Sequence, residues 1–261
     1  MEVHHHAHTA RKKWTHYFWE FLMLFLAVFC GFLAEYQLEH KIEKERARKY
    51  MYDMIENLKY DTIRYNRNLA VNEAIGHQLD SFRAELSLAI KGKINGNRLY
   101  ELWFKTGNFN TVVFNRSAIT QLKSSGSFRL IKNDALASSI SDYYERKTTA
   151  CEEQEEKLRR ASERLSISSA RFFYYEPFDQ FLSKETTFKD MVDSLVRLNA
   201  AVLNGQELTL LNNNAAELKL FYNDIAMKES AMKGYNAFLR WARETAISLM
   251  QEINNEYHFN K

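Results

Sequence analysis

His4, His5, His6 and His8 are the densest group of chemically competent side chains in this chain. Imidazoles at this spacing can bind Zn, Cu or Ni, which is one reading of the tail. A disordered polar tail and an expression scar are the plainer readings, although three consecutive histidines are fewer than a usual tag carries. The histidines beyond the tail (His16, His40, His77 and His258) are scattered, and none stands in a catalytic spacing with a carboxylate or nucleophile. Cys30 lies in an apolar run and Cys151 stands alone in the polar part of the chain, so no intrachain disulfide is expected. Cys151, Leu158, Leu165 and Phe172 repeat at seven, which makes Cys151 an inert core thiol. There is no GxxxxGK[ST], GxGxxG, GxSxG, HExxH or CxxC motif. No enzymatic activity and no cofactor are therefore expected. The aromatic stretch FFYYEPFDQF at 172–181 could line a ligand pocket; core packing around a break at Pro177 is the plainer reading.

Elements without turn chemistry must position these residues. The 261 residues include one proline and eight glycines, which favours long helices and an all-α fold over a loop-rich β fold. Lys and Arg number 36 against 33 Asp and Glu, interleaved without a basic stripe, so nucleic acid is not an expected partner.

The run Tyr17–Tyr36, YFWEFLMLFLAVFCGFLAEY, is the one segment apolar enough to leave water. Its length corresponds to about 30 Å of helix, a bilayer's hydrocarbon thickness. Trp14, Tyr17, Trp19 and Tyr36 lie near its ends, where amphipathic rings prefer the headgroup boundary. One transmembrane helix is expected. A signal-peptide h-region behind Arg11, Lys12 and Lys13 is an alternative, but FCGFLAEY offers no pair of small residues for cleavage and Phe29 precedes Cys30. A soluble core helix is the other alternative.

Glu20, Leu24, Ala27, Gly31, Ala34 and Leu38 follow at alternating steps of four and three and share one side of that helix. Ala27 and Gly31 form a small-xxx-small pair that lets a second helix approach closely in lipid. The face is thus a candidate transmembrane interface, with Glu20 facing protein. In the plainer reading Glu20 reaches the headgroups and the small residues are incidental.

The charged stretch EHKIEKERARK, residues 39–49, reads as a solvated stalk. A seven-residue apolar rhythm then begins. Met51, Leu58, Tyr65, Leu79 and Leu86 fall on one line with Asn72 as its polar member, and Ile55, Thr62 and Leu69 on the next. Leu211, Leu218, Ile225, Met232, Leu239, Ala246 and Ile253 keep the same spacing later. The expected organisation is a His-rich tail at 1–16, a transmembrane helix at 17–36, and a helical domain at 37–261. Its long helices are expected over about 38–90, 134–175 and 207–257, with an irregular short-helix insert at 97–132. A shorter helix is expected from Thr186 or Thr187 to Asn204 and Gly205. The domain should be an elongated helical bundle or coiled-coil-like rod that continues from the anchor.

Residues 114–145, FNRSAITQLKSSGSFRLIKNDALASSISDYYE, carry the local signals of a helix stop and a helix start. Asn115 can cap a short helix that ends near Ser125, with Gly126 left-handed behind it, and Asn133 can cap the next. The block of Phe114, Leu122, Lys123, Ser124, Ser125, Gly126, Leu130, Ile131, Asn133, Leu136, Tyr143 and Tyr144 resembles a family of uncharacterised single-pass membrane proteins from Bacteroidota. The leader MEVHHHAH followed by an anchor is similar to that group too, which argues against an expression scar. The resemblance implies membership and an N-terminal anchor, and brings no activity or catalytic residues with it.

Two functions are expected to compete. One is a membrane-anchored structural, assembly or protein-interaction protein, in a homo-oligomer or with another membrane protein. The other is a sensor-like bundle that binds a small ligand and signals through a membrane partner. An inner-membrane location with the large domain in the periplasm is expected, because Arg11, Lys12 and Lys13 precede the anchor without nearby acids. Lys41, Lys44, Arg46, Arg48 and Lys49 on the other flank pull against that orientation.

Overall fold

Helix α1 runs from Trp14 to Ile90 without a break, so one element carries both the apolar run and the first heptads. It contains no proline, and its last turn closes on Gly92 at φ +85, with the Lys93 amide donating to the Leu88 carbonyl at 3.0 Å. The computed structural model describes residues 14–106, 109, 111–175 and 207–259. The histidine tail, the lysines and arginine before the anchor, the Pro177 break and the helix expected over 186–204 lie outside the described residues. Among the described residues 84% are helical and none is in a strand.

Six further segments follow. They are α2 (Gly96–Lys105), α3 (Ser117–Ser124), a 3-10 turn (Ser127–Leu130), α4 (Asp134–Ser141), a π-helical turn (Asp142–Lys147) and α5 (Thr148–Ser169). The closing helix is α6 (Ala215–Tyr257). Burial on α1 begins at Ala47; before it no residue of the described helix is buried. From there Met51, Leu58, Tyr65, Leu79 and Leu86 are buried together with Asn72, as their common line requires.

These residues pack against α6, which runs antiparallel to α1: Arg48 donates to the Tyr257 carbonyl, Asn72 meets Asn236, and Arg83 meets Glu229 and Tyr222. Helix α5 lies along α6, fixed by Arg164–Asp224 at one end and Lys147 over the Trp241 ring at the other. Residues 111–116 lie beside α1 and α6, with the Val112 amide on the Tyr235 hydroxyl and the Asn115 amide on Asp61. The result is an up-down-up-down helical bundle around one apolar core.

The far end is closed by aromatic rings. Trp103 and Phe173 stack at 5.3 Å, and Phe172 and Phe82 pack on Phe221 at 4.7 and 5.9 Å. Phe172 and Phe173 therefore belong to the core; the rest of the stretch expected over 172–181, beyond Tyr175, lies outside the described residues. Gly96 lies against the chain that enters α6. A Cβ there would stand 1.7 Å from the Leu208 carbonyl oxygen, so only glycine fits.

Two helix bounds differ from the sequence expectation. The helix expected to reach Tyr175 ends at Ser169, because the chain must turn to bury Phe172 and Phe173, and the Phe172 carbonyl then accepts from the Leu211 amide at 2.9 Å. The helix expected from about 207 starts at Ala215, because Asn214 caps it by accepting from the Ala216 and Glu217 amides. Leu211 thus falls in the extended approach, more than half exposed, and is not on the buried line.

Candidate functional site

The apolar run stands clear of the bundle. Leu24, Ala27, Gly31 and Ala34 are exposed on α1, and no atom lies within 4 Å of a Cβ built on Gly31. Glu20 is paired along its own helix, Oε1 lying 2.9 Å from Nε2 of His16. Among the described residues α1 is the one helix long and apolar enough to cross a membrane.

The block from Leu122 to Asn133 lies at the near end of the bundle, where α1 leaves the apolar run. Leu122 is fully buried, and Lys123 pairs with Glu145. The Ser124 hydroxyl donates to the Gln121 carbonyl, and the Ser125 hydroxyl lies within hydrogen-bond reach of the Leu122 carbonyl at 3.3 Å and of Ser127 Oγ at 2.9 Å, tying off α3. Gly126 then turns the chain at φ +66. Arg129 reaches Glu43 on α1 at 3.2 Å. Asn133 accepts from the Leu136 amide, capping α4, and donates to Glu256 on α6 at 2.9 Å. Asn115 acts one residue earlier than a cap, its Oδ1 accepting from the Ser117 amide and hydroxyl. These residues fasten α1, α4 and α6 together at the end nearest the apolar run.

A buried polar knot lies above them. Asp61 on α1 is wholly buried; its carboxylate accepts from the Asn115 amide at 3.1 Å and from the Tyr143 hydroxyl at 3.5 Å. Burial pushes its pKa up to about 6, against the lowering pull of the Asn115 amide, Arg64 and Arg116. The π-helical turn supplies Tyr143. A turn wider than the α-helix rotates successive residues by less than about 100°, so Tyr143 and Tyr144 both face inward. The buried Tyr144 hydroxyl has no hydrogen-bond partner among the described residues. Burial also raises the pKa of Tyr65, Tyr143 and Tyr144, so all three phenols stay protonated.

Further along the α1–α6 seam Asn72 Nδ2 donates to Asn236 Oδ1 at 3.1 Å in full burial. Lys228 is also buried and donates to the Thr106 carbonyl at the end of α2, at 2.6 Å. Burial lowers its pKa to about 8. Glu229 accepts from Arg83 at 2.5 Å and from Lys233. Cys151 is fully buried, its thiol donates to the Phe238 carbonyl at 3.4 Å, and burial pushes its pKa up to about 12. That keeps it protonated and inert.

Sequence reasoning placed Tyr65 on a buried line and Tyr143 in the 114–145 block without bringing the two together, and it missed Asp61 and Lys228. Lys228 had a signal: Phe221, Lys228, Tyr235, Ala242 and Leu249 repeat at seven, which puts the lysine on a buried line. No group of three or more His, Cys, Asp or Glu among the described residues could hold a metal ion. Comparison with protein-family models, with curated proteins and with solved structures finds no match.

Proposed function

We propose that this chain is a single-pass protein of the inner membrane, with its bundle on the periplasmic side. It acts there without catalysis as an elongated, coiled-coil-like structural or assembly protein. The continuity of α1 carries this reading: the helix holds an unburied apolar run at one end and forms a bundle wall at the other. Such a run in water would be an aggregation liability, and a bilayer removes it. Membership in the Bacteroidota family that the Leu122–Asn133 block resembles accords with this reading. The partner is a second copy of the chain or another membrane protein, received on the face of Glu20, Leu24, Ala27, Gly31 and Ala34.

Cysteine crosslinking along residues 20–38 in native membranes, after Cys30 is replaced, tests the proposal. Crosslinks that peak at 24, 27, 31 and 34 and vanish in Gly31→Leu are the expected result; a flat profile overturns the interface. A phosphatase reporter fused after Lys261 should be active, and an inactive reporter reverses the orientation.

A second reading, a ligand-sensing bundle, is favoured by one observation. The polar seam at Asn72 and the apolar run lie on the same unbroken helix.

A further inference from the structure

The seam between α1 and α6 is open along one edge. Ile55, Thr62, Leu69, Gly76 and Arg83 occupy one line of α1 at intervals of seven. At Gly76 the line has no side chain, and a Cβ built there meets nothing within 4 Å. Its neighbour on the adjacent buried line is Asn72, and the residue opposite is Asn236. Met232 forms part of the wall, and the opening is a cleft of about 220 Å³ between the two helices. Glycine inside a helix costs stability. Register alone would need the Asn72–Asn236 pair but no hole beside it.

The walls define what fits. Lys233 and Arg240 bring positive charge from α6; Glu73 and Asp80 bring negative charge from α1, and Glu229 adds a buried carboxylate. Arg240 lies 2.5 Å from Glu73, and Lys233 pairs with Glu229, so each cation already stands beside an acid. A plain anion would meet three carboxylates and a plain cation two basic groups. A molecule with both signs on neighbouring atoms matches both walls. The two carboxamides at Asn72 and Asn236 and the bare Gly76 backbone let such a molecule approach closely.

We propose that the Gly76 cleft between α1 and α6 binds a small zwitterion of the α-amino-acid class, with Asp80 receiving the ammonium group and Lys233 and Arg240 the carboxylate. The proposal rests on the ligand-sensing reading and is independent of the assembly reading.

Thermal unfolding of the full chain in detergent, with each proteinogenic amino acid added at about 5 mM, tests it. At least one should raise the Tm by about 5 °C. The same-sized amine and carboxylic acid that each lack the opposite charge should bind about tenfold more weakly or worse. In Gly76→Leu, where leucine fills the hole and is the better helix former, the protein should be at least as stable and the shift should vanish. Asp80→Asn leaves the cleft open and should weaken binding about tenfold. A shift that survives Gly76→Leu overturns the site. A shift produced equally by the singly charged analogues overturns the zwitterion class and leaves the ligand-sensing reading standing. No shift by any of these compounds overturns the proposal.

Discussion

The Tyr65 and Tyr143 hydroxyls lie 2.9 Å apart in the bundle interior, and this contact ties the π-helical turn to α1 one turn along from Asp61. The pair lets a buried carboxylate face a protonated phenol in place of a cation.

Asp61→Asn should therefore stabilise the protein at neutral pH. The folded-state pKa, about 6, lies above the ordinary value of 3.8. Between those values the folded protein holds a proton that the unfolded chain has released. Stability should fall as pH rises through that window and level off above about 6. Asparagine keeps an acceptor for the Asn115 amide and carries no charge. A gain of roughly 2 kcal/mol at about pH 7.5, shrinking towards about pH 4, is expected from chemical denaturation.

Asn72→Leu should cost about 1–3 kcal/mol, because it leaves the Asn236 amide buried without its partner. Asn72→Leu with Asn236→Leu should recover most of that loss, since paired apolar groups need no partners. A double-mutant cycle measures the difference.

Two glycines should answer alanine with opposite signs. Gly126 sits at φ +66 with open space around it, so Gly126→Ala carries a pure backbone cost of about 1 kcal/mol. Gly76 has helical φ and equal space, so Gly76→Ala should stabilise by about 0.5–1 kcal/mol. Thermal unfolding of the two variants checks both signs.

Lys228 gives a slope at alkaline pH. Its pKa of about 8 in the fold lies below the ordinary 10.5, so the unfolded chain binds the extra proton between those values. Stability from this group should rise with pH from about 8, until the protected tyrosines begin to oppose it near pH 10. Lys228→Met should flatten the Tm profile between about pH 7.5 and 9.5, with little loss at neutral pH, because the burial penalty of the cation goes with it.

The helical lines were legible in the sequence because their period is local. Met51 through Leu86 and Leu218 through Ile253 are buried where spacing by seven puts them. The start of α6 was less so, although the run Asn212, Asn213, Asn214 directly before an apolar period is a capping signal that outweighs Leu211. Of the knot, Tyr65 was legible as a member of its buried line, but its meeting with Tyr143 and Asp61 was not. Tyr65 and Tyr143 are 78 residues apart, and a π-helical turn has no composition of its own. Asn72 was visible as the polar member of its line, but its partner 164 residues away and the hole at Gly76 need the other helix to be seen.

The pairing of α1 with α6 also dictates when this protein can acquire its shape. Arg48 waits for Tyr257, 209 residues later, and Asn72 waits for Asn236. In synthesis α1 emerges before α6, so Met51, Leu58 and Leu79 leave the ribosome while the wall that covers them is still unmade. Contacts so distant in sequence close slowly. Until α6 emerges, the nascent chain presents an open apolar stripe on α1, the kind of transiently exposed surface that invites aggregation.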